Sequence, residues 1–307
     1  MRISPIDPIE PAWNRMVTIL FKPFSFKKWF VLGFCAFLSQ CGEGGGGANN
    51  GSGMGDMANG NNGNDAFNEF TQWVESNQDL VITLGVAAAL VILVLILLSQ
   101  WLNSRGKFML IDCIAKNRAA VVEPWSEYKR EGNSLFLFRI TLGFFALLIF
   151  AVLAAIPVLI AMPDIKAETF GDAAIASVII GSLFLLLYII VGISVVMFIQ
   201  IFLIPTMYLR RVRAVEGCRL AWRELAQGHI WPAVLLTLMM FLFAVAAGTI
   251  SMAVTCLTCC ITVIPYIGAV ILLPIPVFFW AYILEYLQQY GDEWTFFSDH
   301  TVALDAE

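Results

Sequence analysis

Residues 80–102 read LVITLGVAAALVILVLILLSQWL, an apolar run without one charged side chain. Wound as an α-helix it rises about 34 Å, more than the roughly 30 Å hydrocarbon core of a bilayer. Polarity then changes abruptly, with Asn103-Ser104-Arg105-Gly106-Lys107 following at once. Four further stretches repeat this pattern, at 135–162, 173–205, 231–255 and 261–287. A sixth run, Trp29 to Gln40, is apolar but short.

Composition agrees with these runs. Only 13% of the 307 residues are charged and 59% are apolar, against about 25% charged in an ordinary soluble domain. Mean hydropathy is +0.80. A water-soluble globule is excluded, and the fold class is an all-α polytopic membrane bundle. The net charge of −5 argues against nucleic acid, whose phosphates require clustered cations.

Cation placement sets the topology, because Lys and Arg gather in loops that stay in the cytoplasm. The arm 1–28 carries Arg2, Arg15, Lys22, Lys27 and Lys28, whereas residues 41–79 hold no cation. The loop 103–134 is basic again (Arg105, Lys107, Lys116, Arg118, Lys129, Arg130), as is 206–230 (Arg210, Arg211, Arg213, Arg219, Arg223). Every cation except Lys166 thus lies on alternate loops, Arg139 falling at the start of a span. On this pattern residues 29–40 cross, giving six spans within 29–287 and both termini in the cytoplasm of a bacterial inner membrane. The acidic tail 288–307 is placed inside by parity only. Residues 42–64, rich in Gly and Asn, are an external spacer too polar to fold. Phe67, Phe70 and Trp73 follow at helical spacing.

The cytoplasmic loops carry the candidate surfaces. From Arg211 to Gln227, Ala214, Val215, Cys218, Ala221, Trp222 and Leu225 form one helical stripe. Arg213, Glu216, Arg219, Arg223 and Glu224 occupy most of the rest, a basic amphipathic helix suited to the headgroup layer. The plainer alternative is that this helix packs on its own bundle and its cations only set topology. Residues 105–134 read as two helices, the first over Lys107 to Ala120 with Asp112 and Lys116 at i,i+4. The second has Pro124 in its first turn, Trp125 and Tyr128 on one face, and a stop at Gly132-Asn133. Ala12-Trp13-Asn14-Arg15, Pro124-Trp125-Ser126-Glu127 and Ala221-Trp222-Arg223-Glu224 each precede a span. They suggest a unit of one interfacial helix and one helical hairpin, used three times.

Several short motifs carry a resemblance: Pro23-Phe24 with Lys28-Trp29, Arg105-Gly106-Lys107-Phe108, Asn117-Arg118-Ala119, and Pro124-Trp125 leading to Gly132-Asn133-Ser134. With them the chain resembles an uncharacterised family of multi-pass bacterial membrane proteins over most of its length. In layout it is also distantly similar to the membrane region attached to glycerophosphodiester phosphodiesterases. No catalytic domain of that enzyme is present, and neither likeness implies functional residues.

Chemistry is sparse. The two histidines, His229 and His300, have no catalytic spacing, and no nucleophile elbow, zinc or phosphate-loop motif occurs. Cys256, Cys259 and Cys260 give half of a metal or redox site, and small thiols equally suit helix packing. No enzyme activity, cofactor or metal is expected. The expected role is binding at the inner interface, to membrane lipids, another membrane protein or a second copy. Arg211, Arg213, Arg219 and Arg223 would face headgroups, with Trp222 and Trp125 inserting. The alternative is a transport path for a small uncharged or amphiphilic solute, lined by Gln200, Pro265, Gly268, Pro274 and Pro276. The absence of charge inside the predicted spans weighs against ion-coupled transport.

Overall fold

Apolar length dictates the longest elements. In the computed structural model, which describes residues 4–41, 76–166, 171–226, 230–258, 262 and 264–297, no strand occurs among the described residues. In chain order the helices are α1 (Ile9–Phe21), α2 (Phe26–Gln40), α3 (Gln78–Ala115), α4 (Val122–Glu127), α5 (Lys129–Lys166) and α6 (Asp172–Phe198). A π-helical turn (Ile199–Leu203) leads into α7 (Ile204–Arg210), and α8 (Ala214–Ala221) leads into a second π-turn (Trp222–Ala226). α9 (Ile230–Leu257), α10 (Pro265–Ile271) and α11 (Pro274–Gln288) complete the bundle. The spacer 42–64, the aromatic segment after it, Cys259, Cys260, His229 and His300 lie outside the described residues.

Four stretches are long and apolar enough to cross a membrane: Gln78–Ala115, Lys129–Met162, Ala174–Arg210 and Trp231–Leu257. The run 261–287 is divided. Pro265 and Pro274 open α10 and α11, at positions where a missing N–H costs no intrahelical bond. α11 and α2 have 15 residues each and rise about 22 Å, less than the hydrocarbon core. α2 and α10 are partners. Tyr266 meets Phe30, Phe34 and Phe37 at 6.3, 6.4 and 6.3 Å, and Gly33 lies so close to Val270 that a Cβ would stand 2.5 Å from Cγ2.

Two expected helix boundaries are corrected. The span that begins before Leu80 does not stop at the basic loop, because α3 continues unbroken for 38 residues, about 57 Å, to Ala115. Gly106 makes the continuation possible at a crossing with α2: a Cβ there would lie 2.5 Å from the Leu38 carbonyl carbon and the Ser39 nitrogen. Gly132-Asn133 likewise stops nothing, since α5 runs from Lys129 to Lys166. Gly132 admits the Arg105 side chain, and Asn133 becomes an acceptor for α3.

The core sits at one end of the molecule. It joins α1, α2, the second half of α3, α7, α8, α11 and residues 294–297. By contrast, none of the most apolar window of α3 or α5 is buried (0% each). Lipid tails are as apolar as leucine, so no hydrophobic force draws such surfaces together. α5 and α6 still pair, through Phe150 against Tyr188 at 5.3 Å and Gly181 under Pro157.

Described residues near both termini belong to this core. Ala12, Met16, Ile19 and Leu20 are buried on α1, as are Trp294, Phe296 and Phe297. The Gln289 amide takes the Ser4 N–H at 2.8 Å and returns a bond to the Ser4 carbonyl at 2.9 Å. Tyr282 donates to the Pro5 carbonyl at 2.7 Å.

Candidate functional site

The basic helix is shorter than its sequence pattern and is turned differently. Arg211 ends α7 in the left-handed region (φ 55°), and α8 starts only at Ala214, whose N–H donates to Ser134 Oγ at 2.9 Å. Small residues make its inner face: Ala214, Gly217 and Ala221 are buried, and Gly217 leaves room for Met207. The large members of the predicted stripe face outward, Val215 at 68% exposure and Trp222 at 60%. Exposed Arg213, Arg219 and Arg223 accompany them. The outer surface therefore mixes bulky apolar groups with cations, which is what a headgroup layer accepts.

Arg211 does not belong to that surface. Its guanidinium pairs with Glu127 and lies 3.8 Å from the Tyr128 ring centroid. Arg210 is similarly engaged, with Glu293 at 2.7 Å and Glu224 at 3.5 Å.

Behind this pair lies a feature the sequence pattern did not reveal. Asp112, whose side chain is 0% exposed, takes Lys116 at 2.7 Å and both Nε and Nη2 of Arg118 at 2.9 and 2.7 Å. The hydroxyls of Tyr128 and Tyr208 donate to Oδ1, the oxygen that Lys116 also meets, at 3.2 and 3.3 Å, and their rings stack at 5.1 Å. Burial, reinforced by Tyr208, pushes the Tyr128 phenol well above its ordinary range, so its proton stays available to donate. Burial pulls the Arg118 guanidinium downward, but its bonds to Asp112 and Glu123 outweigh that and hold it above its usual value. The Asp112–Lys116 pair was legible as an i,i+4 match. The tyrosines and Arg118 were not, since they arrive from other elements.

The Trp motifs occupy equivalent places. Ala12, Pro124 and Ala221, each just before its Trp, are all buried. Trp13 meets Phe278 of α11 at 6.2 Å, Trp125 meets Trp101 of α3 at 5.6 Å, and Trp222 meets Phe198 of α6 at 6.2 Å. Two residues after each Trp comes an ion-paired charge: Arg15 with Glu285 at 2.7 Å, Glu127 with Arg118 at 3.5 Å, and Glu224 with Arg210 at 3.5 Å. Each short helix packs on the second arm of the hairpin before it, and α1 closes the ring on the last arm.

One turn along each arm, the Trp222 and Trp13 stations place another ring, Phe202 beside Phe198 at 5.7 Å and Tyr282 beside Phe278 at 6.3 Å. The Trp125 station places Arg105, whose Cζ lies 4.5 Å from the Trp101 centroid and 4.8 Å from that of Trp125. Trp125 is thus half-buried, with one face against a guanidinium.

The residues expected to line a path have local structural roles. Gln200 is half-buried in the π-turn before Pro205. The widened turn spares the Ile201 carbonyl a clash with the proline ring. Gly268 is buried against the Thr262 carbonyl, 2.1 Å from where a Cβ would be. Pro274 and Pro276 shape the first turn of α11, and Pro265 opens α10.

A family model described as a family of unknown function (DUF7544) matches residues 3–274, and the chain belongs to that family. This member carries four helices long and apolar enough to cross a bilayer among its described residues. No characterised protein and no solved structure matches the chain. These comparisons do not show the expected likeness to the membrane region of glycerophosphodiester phosphodiesterases.

Proposed function

We propose that this is a non-enzymatic inner-membrane protein that engages anionic lipids at its cytoplasmic face through α8 and the π-turn after it. The observation that carries this reading is the shared exposure of Val215 and Trp222 with Arg213, Arg219 and Arg223. None of these three arginines forms an ion pair within the described residues, so their charge is free to act on phosphate groups. Six crossings with both ends inside complete the proposal, with α2 and the α10–α11 pair adding to the four long helices. The contact of α2 with α10 supports it, since two short apolar helices side by side share one membrane depth. A membrane protein with an acidic juxtamembrane segment is the other partner this surface would accept.

The test is flotation with vesicles of phosphatidylcholine, with and without phosphatidylglycerol, of the separately made segment 204–226. Pelleting of Arg213→Glu/Arg219→Glu/Arg223→Glu full-length protein into nanodiscs of the same lipids provides the in-context comparison. Enrichment of phosphatidylglycerol around the wild type, lost in the triple variant and weakened by salt, is the expected result. Equal lipid composition around both proteins would refute the reading.

A further inference from the structure

Several of the half-buried charges in this protein are ion-paired. Asp112, Arg15, Arg118, Arg210 and Arg211 all meet opposite charges. Arg105 is 6% exposed and meets none among the described residues. Its Nε and Nη2 donate to Asn133 Oδ1 at 3.2 and 3.0 Å, an amide oxygen that also takes the Trp101 indole N–H at 3.1 Å. Two indole faces hold the plane. Nη1 has no hydrogen-bond partner among the described residues, which leaves this end of the fork for a ligand.

A nearly buried guanidinium without a counter-ion is costly. Membrane depth suggests what supplies the missing charge. On α3 the unbroken run of exposed apolar residues ends at Leu98, and Arg105 lies about 10 Å further along the helix axis. On α5, Asn133 stands one turn before the exposed Leu137. Both helices therefore leave the hydrocarbon at this level, which is where lipid phosphates lie.

We propose that Arg105, clamped by Trp101 and Trp125 and oriented by Asn133, binds the phosphodiester of one bilayer phospholipid through Nη1. The indoles cover the adjoining apolar part of the lipid. The guanidinium fork suits a phosphate better than an ammonium would, since it is planar and already oriented. At the other two stations a phenyl or phenol ring replaces the cation, so the site is single. It lies at the α3–α4–α5 junction and does not depend on the α8 surface, so either proposal can fail alone.

The experiment is native mass spectrometry of the full chain, purified in detergent and exchanged against phosphatidylglycerol or the phosphate-free lipid monogalactosyldiacylglycerol. Wild type should retain one phospholipid and exchange it at least about tenfold less readily for the galactolipid. Arg105→Gln should lose that preference, Arg105→Lys should keep part of it, and the α8 triple variant should keep it in full. Millimolar inorganic phosphate should not displace the lipid. Equal retention of the two lipids by wild type, a result needing no variant, would overturn the proposal. So would an unchanged preference in Arg105→Gln, or displacement by inorganic phosphate, which would make the ligand a soluble anion.

Discussion

Asp112 shows how much one buried carboxylate can organise. Two cations and two tyrosine hydroxyls converge on it, and these come from the turn after α3, the α4–α5 junction and α7. Asp112→Ala would leave the hydroxyls without an acceptor and the cations without a counter-charge. The expected cost is about 3 kcal/mol, the low end for breaking a buried pair, because Lys116 and Arg118 keep partial access to water. Thermal unfolding of detergent-solubilised protein, followed by loss of the monodisperse size-exclusion peak, reads it. Arg211 is a subtler case. A left-handed arginine costs roughly 1–2 kcal/mol, and its bonds across to Glu127 and Tyr128 offset part of that. In a double-mutant cycle Arg211→Ala and Glu127→Ala should couple by about 0.5–1 kcal/mol, as expected for a half-exposed pair; strict additivity would show that the contact adds nothing.

Among the elements, α3 is the axle. Its first half is apolar on every side and faces lipid, while its second half carries Asn103, Arg105, Lys107 and Asp112 buried against protein. The crossing with α2 depends on Gly106, so Gly106→Val should cost about 1–3 kcal/mol through forced separation of two backbones. Gly143→Val is the matched control, since nothing lies within 4 Å of its added carbon. Similar losses from both variants would mean that the α2–α3 approach is loose. The short helices α1, α4 and α8 share a design. α4, and α8 with its π-turn, place a Trp on the arm before them, α1 places one on the last arm, and each sets an ion-paired charge two residues after that Trp.

For the whole molecule, the packed end and the unpacked spans follow from two solvents. Where water reaches, apolar residues from α1, α2, α7, α8 and α11 gather into a core; where lipid surrounds the helices, only local contacts such as Tyr188 with Ala146 hold neighbours together. The six-crossing proposal makes a topological prediction. A green fluorescent protein inserted after Ser52 should stay dark and alkaline phosphatase there should be active, whereas the same reporters at Ser126 should behave oppositely. Fluorescence at Ser52 would place the spacer inside the cell and make α2 a helix that does not cross.

Period and polarity were enough to fix the helical class, four long spans, the Asp112–Lys116 pair and the three Trp motifs, because each depends on residues close in the chain. The ends of α3 and α5 were hidden. A Gly or a polar cluster breaks an isolated helix, yet here tertiary contacts with Leu38 and Arg105 use those residues. For the same reason the surfaces changed owners: Arg211 went to Glu127, one face of Trp125 to Arg105, and Val215 and Trp222 turned outward. Which cation faces lipid is a question of partners distant in sequence, and only the folded arrangement of α3, α4, α5 and α8 answers it.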